Sequence, residues 1–169
     1  MHSAWSRVNA VLTFFGSALA VLCVLTTLTD MLHAPDPSVN LRLTEVKRLA
    51  PWRNRYDQAV LSVGLEADLR SCFSWNTKQL FVFVQAEYAT EKHGVNQVVI
   101  WDRIIRTPEE AVISIPALKQ KYALLDRATR LRGREVNLSL AWSSMPKVGA
   151  LSLDKRSFPV GKLPEEYVY

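Results

Sequence analysis

No Asp, Glu, Lys, Arg or His interrupts the stretch from Val8 to Thr29, VNAVLTFFGSALAVLCVLTTLT. As a helix it spans roughly 33 Å at ~1.5 Å per residue, the thickness of a bilayer's hydrocarbon core. Arg7 closes one end and Asp30 the other. A cleaved signal peptide is the rival reading, but its apolar region runs ~7–15 residues and ends in a small-x-small site. Here Met31, Leu32 and His33 stand where small side chains are required, and the one Ala-x-Ala pattern, Ala18 to Ala20, lies inside the run. The stretch is therefore read as an uncleaved transmembrane anchor over residues 8–29. A short head, residues 1–7, with an arginine beside the span favours the cytosol, and a long folded domain translocates largely regardless of its charge. Residues 31–169 then lie outside the cytosol, a single-pass, type II arrangement.

The rest of the chain has the composition of a folded domain, 49% hydrophobic and 22% charged over the whole sequence, which excludes wholesale disorder. Pro35 and Pro37 stop the helix and make residues 30–38 a short linker. From Val39 onward the apolar period is mostly two. Val39, Leu41 and Leu43 alternate, as do Leu61, Val63, Leu65, Ala67 and Leu69, and Val136, Leu138, Leu140 and Trp142. Residues 97–105, 111–115 and 121–125 read as further strands, and a helix is conceivable around Leu118 or over residues 71–78. Prolines and glycines fall between the runs. The expectation is an all-β fold: an antiparallel β-sandwich over residues 39–158, preceded by a single N-terminal transmembrane helix and followed by an extended tail, residues 159–169.

One strand carries an unusual face. In SWNTKQLFVFVQAEYATEK, Ser74 to Lys92, five apolar residues run from Leu80 to Val84. Alternation puts Leu80, Val82, Val84, Ala86 and Tyr88 on the core side. Phe81, Phe83, Gln85 and Glu87 share the other, which turns from aromatic to polar along its length. Either the strand emerges from under a loop, or its Phe end meets a partner and its Glu end lies at the rim.

Catalytic motifs are scarce. His2 is in the head, His33 beside the membrane and His93 in a predicted turn, EKHGVN. No Ser has a Gly-x-Ser-x-Gly context, there is no glycine-rich phosphate loop, and no metal-ligand spacing of Cys and His exists. Glu66 with Asp68, and Glu109 with Glu110, read as solvated pairs. Cys23 is in the span, so Cys72 has no disulfide partner in the domain and reads as a buried small hydrophobe. Net charge is +5. Lys119, Lys121, Arg127, Arg130, Arg132 and Arg134 form one basic group, and Lys47, Arg48, Arg53 and Arg55 another. Nucleic acid conflicts with a non-cytosolic domain, which leaves anionic lipid headgroups, an acidic partner surface or a solvated loop. Gly16 and Ala20, four apart in the span, would let another helix approach closely. Asn137-Leu138-Ser139 is the one N-glycosylation sequon, on the polar side of its strand.

The blocks WNTKQLFVFVQAEYAT from Trp75, NQVVIWDRII from Asn96 and NLSLAW from Asn137, in this architecture, resemble the signal peptidase complex subunit 3 family. The resemblance covers nearly the whole chain and is most specific over residues 73–105. It implies an endoplasmic reticulum membrane protein with a luminal β domain. It further implies a non-catalytic subunit without a cofactor, whose partners are the catalytic serine-protease subunit and the smaller membrane subunits. The Asn137 sequon falls at the family's usual glycosylation position. The arginine-rich loop 127–134 departs from the family in being short. On this resemblance Trp75, Asn76, Lys78, Phe81, Phe83 and Trp101 are candidates for contact with the catalytic subunit, because Trp and Phe suit an interface core; Trp75 and Trp101 equally fit as core residues, and for Trp101 the core is the preferred reading. Two other classes stay open: an enzyme using His93, and a membrane-anchored luminal binding module for cargo or glycan.

Overall fold

The computed structural model describes residues 3–53, 56–90, 93–126 and 131–169. Helix α1 runs Ala4–Met31, longer at both ends than the charge-free run. Ser3 caps it, its hydroxyl accepting from the Ser6 amide at 3.2 Å. The hydroxyls inside the apolar stretch are satisfied within the helix. Thr13 donates to Asn9 O, Ser17 to Thr13 O, Thr26 to Leu22 O and Thr27 to Cys23 O, all at 2.8–2.9 Å. This is how polar side chains become compatible with hydrocarbon.

Eight strands follow: β1 Ser38–Trp52, β2 Tyr56–Asp68, β3 Thr77–Tyr88, β4 Asn96–Ile105, β5 Val112–Lys119, β6 Leu124–Asp126, β7 Glu135–Pro146 and β8 Ser152–Lys162. They form two antiparallel sheets. The first has the order β1-β2-β5, with β6 also paired to β2, and the second is β4-β3-β7-β8. The expected sandwich is present, and its core is the facing layers of both sheets. Leu61, Val63 and Leu65 of β2 oppose Leu80, Val82 and Val84 of β3 and Leu138 and Leu140 of β7, each 2% exposed or less.

Several local expectations need correction. Leu118 lies in β5 and is buried, so no helix forms there. Between β2 and β3 only a single 3-10 turn forms, Arg70–Cys72. Ser62 and Gly64, which alternate with the core residues of β2, are covered as well, and Arg42 lies across Gly64 so closely that an added Cβ would sit 3.0 Å from its Nε. In β1 the alternation 39, 41, 43 does not continue. Bulges between Leu43 and Glu45 and between Val46 and Arg48 each add a residue, which keeps Val46 and Leu49 turned to the core. Strand β8 had no sequence signature, and it continues past residue 158 to Lys162.

The tail does more than extend. Leu163 is buried, and Val168 exchanges two main-chain hydrogen bonds with Leu49 of β1 at 2.7 and 2.8 Å. Between them the Tyr167 hydroxyl donates to Asp57 Oδ1 at 3.2 Å. The chain's end therefore crosses from the second sheet to the first.

Candidate functional site: a helix-to-sandwich joint and an aromatic sheet face

The last turn of α1 is fastened to the sandwich by three contacts. At the first, Asp30 ends the apolar run as a carboxylate at a helix C-terminus, where the macrodipole disfavours it and no basic residue sits in the turn. It is retained as an acceptor. The Ser74 hydroxyl donates to Oδ1 at 2.6 Å, and Asn76 Nδ2 donates to Oδ2 at 3.3 Å. At the second, His33 Nε2 bonds Ser71 O at 2.7 Å. At the third, the β7–β8 hairpin comes up against the helix side, where a Cβ built on Gly149 would lie 3.0 Å from Thr27 Oγ1.

Asn76 ties these parts together. Besides Asp30, its Nδ2 donates to Val148 O at 2.7 Å, its Oδ1 accepts from Val148 N at 3.2 Å, and its main-chain O accepts from Lys147 N at 2.7 Å. A side chain 1% exposed thus links the helix end, the β2–β3 turn and the hairpin. Its placement as a contact residue for another protein is corrected accordingly, because its polar atoms are spent inside the chain. A cleft of about 330 Å³ remains between helix end and strands, lined among others by Asp30, His33, Cys72, Trp142 and Asp154. Burial foremost pushes the Cys72 thiol up to about 11, so it stays protonated and unreactive.

Gly149 was not foreseen. Its φ of +120° is a conformation side chains avoid, and the helix stands where its Cβ would go. Gly149→Val should cost about 1–3 kcal/mol, read as a lower midpoint of thermal unfolding for the full chain in detergent. Adding Thr27→Ala removes the clashing atoms and should recover the steric part, leaving the backbone strain.

The second feature is the outer face of the β4-β3-β7-β8 sheet. Register sets its rows. Phe81 stands between Ile104 and Ser143, with Leu153 beyond on β8. Phe83 stands between Asp102 and Ala141, Gln85 between Val99 and Ser139, and Glu87 between Gln97 and Asn137. The Phe81 and Phe83 rings are half-buried and 5.4 Å apart, with Ile104 and Leu153 exposed beside them. Farther from the joint the face turns polar, as the alternation suggested, and there it is knotted. Glu87 Oε1 accepts from Gln85 at 2.7 Å, Lys155 at 2.9 Å and Gln97 at 3.2 Å. Burial pushes the Glu87 carboxyl up, but hydrogen bonds from Lys155, Ser139 and Gln85 outweigh it and hold the group below its ordinary 4.5. A depressed carboxyl stabilises the fold above its unfolded pKa, and that contribution is lost as pH falls through the folded value. Glu87→Gln should therefore flatten the acid limb of a stability–pH profile below about pH 5, measured by thermal unfolding.

The other predicted residues are dispersed. Trp75, 65% exposed, and Lys78 face solvent near the joint. Trp101 turns inward at 8% exposure, the core position preferred for it from the sequence rather than the contact. The cause is a bulge at Ile100: Val84 pairs with Trp101 but Gln85 with Val99, so Ile100 and Trp101 both enter the core and Val99 points out. Asn137 is exposed on the polar rows. Gly16 has open space where a Cβ would go, and Ala20 is exposed. His93 is an exposed turn residue whose carbonyl accepts from Thr90 N. The basic group is not one free patch. Lys121 bonds Asp102 O, Arg134 bonds Ala89 O, and Arg132 lies 4.4 Å over the Tyr167 ring. Arg127 and Arg130 lie outside the described residues, as does Arg55 of the second group. No grouping of His, Cys, Asp and Glu suited to a metal occurs among the described residues.

The first feature fixes the helix to the sandwich, and the second leaves two aromatic rings half-buried on an outer sheet face. Together they define a β-sandwich domain fixed to one long apolar N-terminal helix. Comparison with known proteins carries this further: residues 1–166 match the family model described as "Signal peptidase subunit", and the chain belongs to that family. It is 36% identical over 159 residues to signal peptidase complex subunit 3 of Gallus gallus, covering 90% of this chain and 88% of the relative. The Homo sapiens subunit 3 is 34% identical over 164 residues with the same coverage. That of Dictyostelium discoideum is 30% identical over 168 residues, 99% of this chain and 98% of the relative.

Proposed function

We propose that this chain is the non-catalytic scaffold subunit of an endoplasmic reticulum signal peptidase complex, holding a serine-type catalytic subunit at a fixed position over the membrane. The helix crosses the membrane as a type II anchor, with residues 1–7 cytosolic and the sandwich in the lumen. It has the length and hydropathy to do so. The observation that carries the reading is the joint. A flexible tether would leave the sandwich free to swing, whereas Asp30, Asn76 and Gly149 fix it to the helix end. A partner bound to that sandwich inherits a defined height above the bilayer. Cleavage requires near-attack geometry, and a displacement of about 1 Å can cost as much as ~10²-fold. Signal peptides have short apolar regions, so a fixed height favours them over longer membrane anchors.

The catalytic subunit docks on the Phe81 and Phe83 rows, with Lys78 at the joint side. A glycan on Asn137 occupies the polar rows and limits the footprint to the aromatic half. Gly16 and Ala20 receive a helix of one of the smaller membrane subunits, and lipids surround the rest of α1. A cargo- or glycan-binding module is the weaker reading, since the family match extends over both anchor and sandwich. The test is purification of the tagged full chain in mild detergent, followed by cleavage of a preprotein with and without it. A protease should accompany the chain, and the chain alone should cleave nothing. Cleavage by the isolated chain, or purification without a protease, sinks the reading.

A further inference from the structure

Where Gly149 meets α1 fixes how deep the β7–β8 hairpin reaches. Its neighbour Thr27 lies inside the charge-free run, about 4–5 Å on the helix side of Asp30 at ~1.5 Å per residue. A loop beside Thr27 stands at the level of the helix's last apolar turn rather than above it.

What the hairpin presents there is unlike an ordinary turn. Its tip reads Lys147-Val148-Gly149-Ala150-Leu151, with no Asp, Asn or Ser to bond a turn backbone. Leu151 is 69% exposed and Val148 36% exposed. Beside them Trp75 is also exposed, its carbonyl accepting from Lys147 Nζ at 3.4 Å. No carboxylate occurs from Ser143 to Leu153. An exposed indole, exposed aliphatic side chains and a cation grouped beside the end of an apolar helix are the combination a bilayer surface selects.

We propose that the β7–β8 hairpin is a second, shallow membrane contact, in which Val148, Leu151 and Trp75 enter the lipid interface beside α1 and Lys147 meets lipid phosphate. Amphipathic elements of this kind sit about 5–10 Å into the boundary between headgroups and acyl chains. The inference rests on the reading that α1 crosses the membrane. It also supplies what the joint alone lacks: a helix and a hairpin give two points of attachment, which restrict the tilt of the sandwich as well as its height.

The test uses the full chain, within its complex, in vesicles of phosphatidylcholine with an anionic lipid. An environment-sensitive fluorophore is placed at Leu151→Cys, Leu19→Cys or Val95→Cys in a Cys23→Ser background, since Cys72 is buried. Nitroxide labels are carried either near the lipid headgroup or near the acyl chain end. Leu19, in mid-helix, should lose emission with the deep label. Val95, exposed in the β3–β4 turn at the other end of the strands, should lose none with either. Leu151 should be blue-shifted and lose emission with the shallow label. If Leu19 is quenched while Leu151 emits as in water, the hairpin proposal is overturned and the anchor stands. If Leu151 is shielded from both lipid label and aqueous quencher, a protein covers it and the proposal is overturned too. If Leu19 itself escapes quenching, the spanning reading fails and takes the proposal with it.

Discussion

Replacing Phe81 and Phe83 together by Asp should detach the protease while leaving the subunit folded. Both rings lie on the outer face, and the core side of the same strand, Leu80, Val82 and Val84, is untouched and fully buried. Aromatic residues at the centre of an interface typically cost ~2 kcal/mol or more each when lost. Two would weaken association by roughly 4 kcal/mol, about 10³-fold in Kd, and burying the new carboxylates would add to this. The measurement is recovery of the protease and of preprotein cleavage after detergent purification, normalised to the subunit. Thermal unfolding should shift little. Glu66→Arg, on the outer face of the other sheet, is the control and should keep the protease bound. Undiminished copurification of the Asp variant would place the docking face elsewhere on the sandwich.

That face was legible because alternation is a local signal. Every second residue from Leu80 to Tyr88 is buried, and the residues between them form the outer rows. The same rule failed at Trp101, because a single extra residue at Ile100 reverses the side on which everything beyond it points. It failed again in β1, where the two bulges stretch the spacing of inward residues from two to three. Strand β8 left no trace. It is an edge strand exposed along most of its length, so it has no buried face to impose a period, and it carries Pro159 and Gly161, which read as breakers.

The joint was illegible for a different reason. Its hydrogen bonds link residues 44, 46 and 72 apart in sequence, between lone polar side chains and, at Val148, a main-chain carbonyl, none of which forms a motif. One signal was present: an acid placed where the helix dipole disfavours it must be compensated by a donor, and Asp30 has two. In the sequence, however, Asp30 marks only the end of the apolar run. Residues 30–38 read from sequence as a linker, and within them Asp30 and His33 both bond the domain.

Asp57→Ala should destabilise the sandwich more than any surface change. Asp57 is 1% exposed and, among the described residues, accepts from the Leu131 amide at 3.0 Å and the Tyr167 hydroxyl at 3.2 Å. Removing the carboxylate strands a buried main-chain donor and unties the tail, for about 2–4 kcal/mol. At roughly 3–5 °C per kcal/mol for a domain of this size, the unfolding midpoint should fall by about 10 °C. Tyr167→Phe should do less, because Asp57 keeps its bond to Leu131. In the background of Asp57→Ala it should then do almost nothing further, since the hydroxyl has already lost its acceptor. Burial, reinforced by the Asp57 charge, raises the Tyr167 hydroxyl above its ordinary 10. A raised group stabilises the fold below its unfolded pKa and ceases to as pH climbs through the folded value. The difference between wild type and Tyr167→Phe should therefore be full at neutral pH and close above about pH 10. Additive effects of the two substitutions would mean that the Tyr167–Asp57 bond does not hold the tail, with Asp57 serving only Leu131.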